Sequence, residues 1–234
     1  MTTIAANLQA VHDRIRCAAH LSGRDPTAIM LLAVSKNFPP SWIREARAAG
    51  QTAFGESYAQ EGVRKITQLA GLGCEWHFIG PVQSNKTRLI AEHFGWVHGV
   101  DREKIAARLN DARPVHLPQL QVCIQVNVSG ERSKGGVPPG GEEALARAIA
   151  EMPRLRLRGL MAIPESTSDE NLQRQRFATL RKAQKALNTQ GYTLDTLSMG
   201  MSDDFEVAIA EGATLVRIGS AIFGTREAGE RAKV

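Results

Sequence analysis

The sequence has no long hydrophobic run. Its apolar stretches, such as Ile29 to Val34 and Leu120 to Val128, fall far short of the roughly 20 residues needed to cross a bilayer. Asn7, Gln9, His12, Asp13 and Arg14 interrupt the apolar residues of the N-terminus before a signal-peptide core can form, so a cytoplasmic location off the membrane is expected. Cysteine is scarce: Cys17, Cys74 and Cys123 are odd in number and widely spaced, which argues against a disulfide framework and against a zinc cluster. They read as reduced, largely structural thiols. Aromatic residues make up only 5% of the chain, and the excess of positive charge is small, 29 Lys plus Arg against 24 Asp plus Glu. Without a basic block or aromatic residues interleaved with Lys and Arg, a nucleic-acid partner is not expected. A phosphorylated small ligand explains a net charge of +5 at least as well.

What remains is an ordinary globular composition, 43% hydrophobic and 23% charged. A length of 234 residues lies near the roughly 250 typical of one (β/α)₈ barrel. Ile4, Leu8, Val11 and Ile15 recur at helical spacing and predict an amphipathic helix ahead of the first strand. Short apolar runs suited to buried parallel strands follow at Met30–Val34, Thr52–Phe54, Trp76–Ile79, Trp96–Val100, Leu120–Val128, Leu155–Ala162, Thr193–Ser198 and Thr214–Ile218. Helical stretches alternate with them, four carrying apparent caps at Ser57, Ser84, Asp101 and Ser202, while Gly50, Gly71, Gly191 and Gly212 stand where helices should stop. Eight strands separated by helices predict a closed parallel α/β barrel spanning residues 1–234 as one domain, with an open doubly wound sheet as the alternative. The Gly- and Pro-rich loop Ser129 to Gly141, containing Arg132 and Lys134, reads equally as a lid or a solvated turn.

Active sites of such barrels lie at the C-terminal ends of the strands. The first run ends Leu32-Ala33-Val34-Ser35-Lys36, and alternation puts Lys36 on the face of Leu32 and Val34, at the barrel mouth. A Schiff-base nucleophile, an anion ligand and a solvated loop lysine all suit that position. Arg217, bracketed by apolar residues in the last run, needs an acceptor, either a core carboxylate or a ligand atom. Phosphate sites in these barrels use the loops after strands seven and eight. Here those loops are Met199 to Asp204 and Gly219-Ser220: Gly200 and Gly219 allow close backbone approach, and Ser202 and Ser220 add hydroxyls. Asp203 and Asp204 are expected to face the following helix from its side. A lysine, a buried arginine and a phosphate cup converge on pyridoxal 5′-phosphate (PLP): imine, pyridine-nitrogen contact and phosphate anchor. A permanently charged guanidinium opposes protonation of that nitrogen, so the ring would be a weak electron sink.

Ala33–Lys36 (AVSK), Phe54–Glu61 (FGESYAQE), Trp76–Lys86 (WHFIGPVQSNK), Leu157–Pro164 (LRGLMAIP), Leu197–Asp204 (LSMGMSDD) and Val216–Gly224 (VRIGSAIFG) together resemble the YggS/PLPBP family of pyridoxal phosphate homeostasis proteins. The resemblance extends over nearly the whole chain. It implies the barrel of alanine racemase, fold type III, with Lys36 as the imine lysine, Arg217 as the pyridine-nitrogen partner, and Ser202, Gly219 and Ser220 at the phosphate. His77 falls near the cofactor in that scheme, against the reading of a core histidine bonded to backbone. With Met201, the candidate cofactor-binding set is Lys36, His77, Met201, Ser202, Arg217, Gly219 and Ser220, without a metal ligand. Two positions depart from the family: Ser57 stands for the usual Asn after Phe-Gly-Glu, and Asn37-Phe38 for a common Thr-Lys.

The resemblance favours a carrier, buffer or regulator in vitamin B6 homeostasis; a monomer exchanging PLP transiently with apoenzymes is expected. The alternatives are a PLP-dependent amino-acid racemase and a Schiff-base aldolase acting on a phosphorylated sugar. Racemisation needs acid/base groups on both faces of the ring, and fold type III racemases take a tyrosine from an added β domain. Only Tyr58 and Tyr192 occur here, and with the barrel expected to take up these 234 residues such a domain is not expected among them.

Overall fold

The computed structural model describes residues 3–131 and 135–224. Eight strands form in chain order: β1 (Met30–Val34), β2 (Ala53–Glu56), β3 (Glu75–Phe78), β4 (Trp96–Val100), β5 (Leu120–Gln125), β6 (Leu155–Met161), β7 (Thr196–Ser198) and β8 (Leu215–Ile218). Each pairs in parallel with the next, and β8 closes on β1 with Leu32 opposite Arg217 and Ala33 opposite Ile218. The sheet is therefore a closed barrel and not an open one. Its strands are largely apolar because one face packs inward and the other lies under helices.

The outer layer consists of α1 (Ile4–Leu21), α2 (Pro40–Ala48), α3 (Ala59–Gln68), α4 (Thr87–His93), α5 (Glu103–Ala112), α6 (Glu142–Ala150), α7 (Glu170–Thr189), α8 (Phe205–Ala210) and the short α9 (Ser220–Phe223). The Thr3 hydroxyl starts α1 by accepting the Ala6 N–H at 3.2 Å. Ile4, Leu8, Val11 and Ile15 are buried on one side of that helix, which lies against α2, α8 and α9. At about 1.5–3 kcal/mol per buried aliphatic side chain, this stripe and not intrinsic propensity holds α1 in place.

The four predicted caps are displaced. Tyr58, Lys86, Arg102 and Asp204 precede α3, α4, α5 and α8, none with a side-chain cap bond. Three of the predicted residues have other partners: the Ser84 carbonyl accepts from Thr87 Oγ1 and Arg108, Asp101 pairs with Arg102, and the Ser202 hydroxyl meets Ser220. The helix stops hold, since Gly50, Gly71, Gly191 and Gly212 all adopt positive φ, between 87° and 102°. The fifth strand ends at Gln125; beyond it Val126 bridges Val137, tying the far side of the glycine-rich loop to the barrel through Val137 N–H to Gln125 O at 2.9 Å. Arg132 and Lys134 lie outside the described residues.

Candidate binding site at the barrel mouth

Lys36 follows the end of β1 by two residues and is half-buried. Its flanking backbone is held from behind by a buried ionic cluster. Lys65 Nζ on α3 donates to Ser35 O at 2.7 Å, Glu56 Oε1 at 2.8 Å and Glu61 Oε1 at 2.6 Å. The Ser35 hydroxyl donates to Glu56 Oε1 at 2.6 Å, and the Asn37 N–H to Glu61 Oε1 at 2.6 Å. Asn37 takes φ of 65°, a left-handed turn that asparagine tolerates better than most residues. Phe38, in place of the family's usual cation, stacks on Trp42 and packs at a tilt against Phe223. The sequence motifs assign no role to Glu56, Glu61 or Lys65. The available signals were a carboxylate closing an apolar strand and the Glu61–Lys65 spacing of four on one helix face.

This cluster gives a stability prediction. Glu56 is fully buried, and burial pushes its carboxyl up despite Lys65 and the Ser35 hydroxyl. Lys65→Met leaves that carboxylate uncompensated, so urea unfolding at neutral pH should show a loss of about 3–5 kcal/mol. In the variant the folded-state pKa of Glu56 lies above its unfolded value. Stability is then fully present below the ordinary carboxylate range and is lost as pH rises through the raised pKa. The deficit should shrink in acid; a deficit independent of pH would rule out Glu56 as its origin.

Arg217 stands in the barrel interior on β8, 4% exposed. Its Nη1 donates to Ser198 Oγ on β7 at 2.7 Å and its Nη2 to the Ala162 carbonyl at 2.8 Å. The acceptors are thus neutral, and among the described residues no carboxylate forms an ion pair with it. Burial lowers its pKa to about 10, opposed by the nearby charge of Asp204. His77 is a core histidine, but its partner is a second histidine and not backbone: Nδ1 lies 3.0 Å from His98 Nε2. It reaches Arg217 only through His98 and Ser198 and does not join the serines of the mouth.

The two loops predicted to form a cup do meet, the Ser220 hydroxyl donating to Ser202 Oγ at 3.1 Å. Gly200 has φ of 92°, and a Cβ there would come within 2.7 Å of Ala208 Cβ. At Gly219 a Cβ would lie 3.1 Å from the Val34 carbonyl, so this loop packs directly on the end of β1. Arg217 N–H donates to Gly200 O at 2.9 Å and joins the loop to β8. Asp204 turns back on its own loop, accepting the Met201 N–H at 2.6 Å, while Asp203 is exposed. Six of the seven predicted residues therefore stand at or just past the ends of β1, β7 and β8, and His77 stands within β3.

Residues 6–227 match the alanine racemase N-terminal domain family. The pyridoxal phosphate homeostasis protein of Pseudomonas aeruginosa is 59% identical over 98% of both chains. That of Escherichia coli K12 is 55% identical over 97% of this chain and 98% of that one. PipY of Synechococcus elongatus, solved with PLP bound, superposes with a TM-score of 0.80 at 36% identity, covering 90% of this chain and 100% of that chain. Alanine racemase from Corynebacterium glutamicum shares the fold at 18% identity and a TM-score of 0.68; the match spans 95% of this chain but 62% of that one. The fold and mouth define a barrel of the alanine racemase N-terminal type. Within that class, the chain belongs to the pyridoxal phosphate homeostasis proteins.

Proposed function

We propose that this chain binds PLP reversibly at the barrel mouth and buffers or delivers it, without substantial turnover of amino acids. The observation that supports the reading is a buried Arg217 whose side-chain acceptors are neutral, on the strand that leads into two loops whose serines meet, with Lys36 just past the end of the adjacent β1. The cofactor supplies an aldehyde, which condenses with a neutral amine to an imine with loss of one water, a bond that hydrolysis or exchange with another amine reverses. Lys36 holds that bond. Ser202, Gly219 and Ser220 take the phosphate, with Met201 shaping their loop. Arg217 uses two of its five donors on Ser198 and Ala162, and a remaining donor would address the pyridine nitrogen. Such a ring stabilises a carbanion poorly, which disfavours racemisation. The protein acts as a monomeric single-domain carrier in the cytoplasm, engaging apoenzymes only transiently. Among the described residues no helix is long and apolar enough to cross a membrane.

A paired assay tests the proposal. The loaded protein should change the rate at which a PLP-requiring apoenzyme is reactivated, while amino-acid enantiomers incubated with it keep their configuration. Racemisation at about one turnover per second or faster would make it an enzyme. A colourless protein that takes up no PLP would remove the reading altogether.

A further inference from the structure

Barrel interiors of this type are filled mainly by branched apolar side chains. Here Leu32, Val34, Ala53, Ile79 and Leu215 cluster on one side and Trp96, Cys123 and Met161 on the other. Between them stand four polar side chains, His77, His98, Ser198 and Arg217, at most 4% exposed. An apolar filling would be at least as stable, so stability alone does not account for them.

Their contacts run in one line. Arg217 Nη1 lies 2.7 Å from Ser198 Oγ, which lies 2.8 Å from His98 Nδ1. His98 Nε2 lies 3.0 Å from His77 Nδ1, and His77 Nε2 lies 3.5 Å from Glu75 Oε1. Donor chemistry sets the direction. Guanidinium has no acceptor, so Ser198 accepts from Arg217. An ionised carboxylate has no donor, so the His77 nitrogen facing Glu75 carries that ring's proton. That leaves His77 Nδ1 to accept from His98 and His98 Nδ1 to accept the Ser198 hydrogen. A neutral His98 then carries its proton on Nε2. Burial lowers both histidine pKa values, and for His98 the neighbouring His77 and Arg217 lower it further. The line ends at the N-terminal face of the barrel, where Glu75 has a side chain 44% exposed. There Trp96, stacked on His77 at an interplanar angle of 11°, donates its indole N–H to the same carboxylate oxygen. The polar contact with His77, which is too poorly aligned for a formed hydrogen bond, leads the causes that hold the Glu75 carboxyl below its ordinary range.

We propose that Ser198, His98 and His77 are positioning residues for Arg217, forming a one-directional hydrogen-bond chain whose counter-charge is Glu75 on the barrel floor. The chain fixes the guanidinium against the barrel wall and spreads its charge away from the mouth, each bond polarising the next. The cofactor-binding face of Arg217 is thereby tuned from the opposite end of the barrel. The other charged or titratable groups around this line are Asp204, Cys123, Arg158 and Asp195. None of them bonds to His77 or His98 among the described contacts. The role toward PLP rests on the proposed site; the chain itself does not.

Two measurements on the full-length protein keep these apart. Nitrogen-15 NMR of the histidine rings without cofactor should show His77 and His98 neutral through neutral pH, both protonated on Nε2. An Nδ1-protonated or charged ring at either position would overturn the chain. For the cofactor role, PLP titration followed by absorption should show about tenfold weaker binding and an altered pH profile of the bound spectrum in Ser198→Ala, with recovery in Ser198→Thr. Glu75→Gln, at a half-exposed position, should move the same profile, and it decides the matter if Ser198→Ala does not fold. Wild-type affinity and spectrum in both variants would overturn the positioning role. A wild-type protein that binds no PLP would overturn the reading of the mouth, while the ring tautomers would still report on the chain.

Discussion

Lys36→Ala is expected to abolish the imine absorption of the PLP-loaded protein and to weaken PLP binding by about 100-fold or more, equivalent to about 2.7 kcal/mol. The fold should survive. The strand end is held by Lys65, Glu56 and Glu61 through Ser35 and the Asn37 N–H, bonds that do not involve the Lys36 side chain. Borohydride reduction of the loaded wild-type protein followed by peptide mass spectrometry should place the pyridoxyl group on Lys36. An adduct on Lys86 or Lys134, with Lys36→Ala still binding normally, would transfer the role to another lysine. Thermal unfolding of the unloaded variant, expected close to wild type, separates lost chemistry from lost structure.

Arg217→Gln should weaken PLP binding about 10- to 100-fold and shift the absorption of the bound cofactor, as expected for losing a charged hydrogen bond worth about 1.5–3 kcal/mol. The unloaded protein should lose less than about 2 kcal/mol of stability. Glutamine retains a donor for Ser198 or the Ala162 carbonyl, and removing a buried charge offsets part of the lost bonding. A variant that cannot fold would make Arg217 a structural element of the barrel. A folded variant with unchanged spectrum and affinity would remove its contact with the ring.

Much of this was legible in the residues. Met30–Val34 and Trp96–Val100 were bounded correctly because turn residues flank compact apolar runs. The Thr193–Ser198 run is longer than its strand: only Thr196–Ser198 pairs, and Asp195 holds Arg158 at 2.7 Å. Helix starts were the weakest reading, since a serine or aspartate near a boundary caps only if no competing partner reaches it. Ser202 is the clearest case, its hydroxyl meeting Ser220 from a strand and loop 18 residues away.

The sequence by itself determined the repeating strand–helix order, the helix stops at left-handed glycines and the ends of β1, β7 and β8 where the candidate ligand groups stand. Each depends on local periodicity or on what one residue's backbone can adopt. Tertiary structure alone decided barrel closure, which depends on β8 meeting β1 across most of the chain, and the partners of every buried polar group. Glu56 meets Lys65 only because α3 folds back over β2. His77, His98, Ser198 and Arg217 form one line only because closure brings β3, β4, β7 and β8 around a common interior. A buried charge or imidazole declares in sequence that it needs a partner, because desolvation without one is too costly. Which partner it finds depends on chain closure over long sequence separations, and no local pattern encodes that.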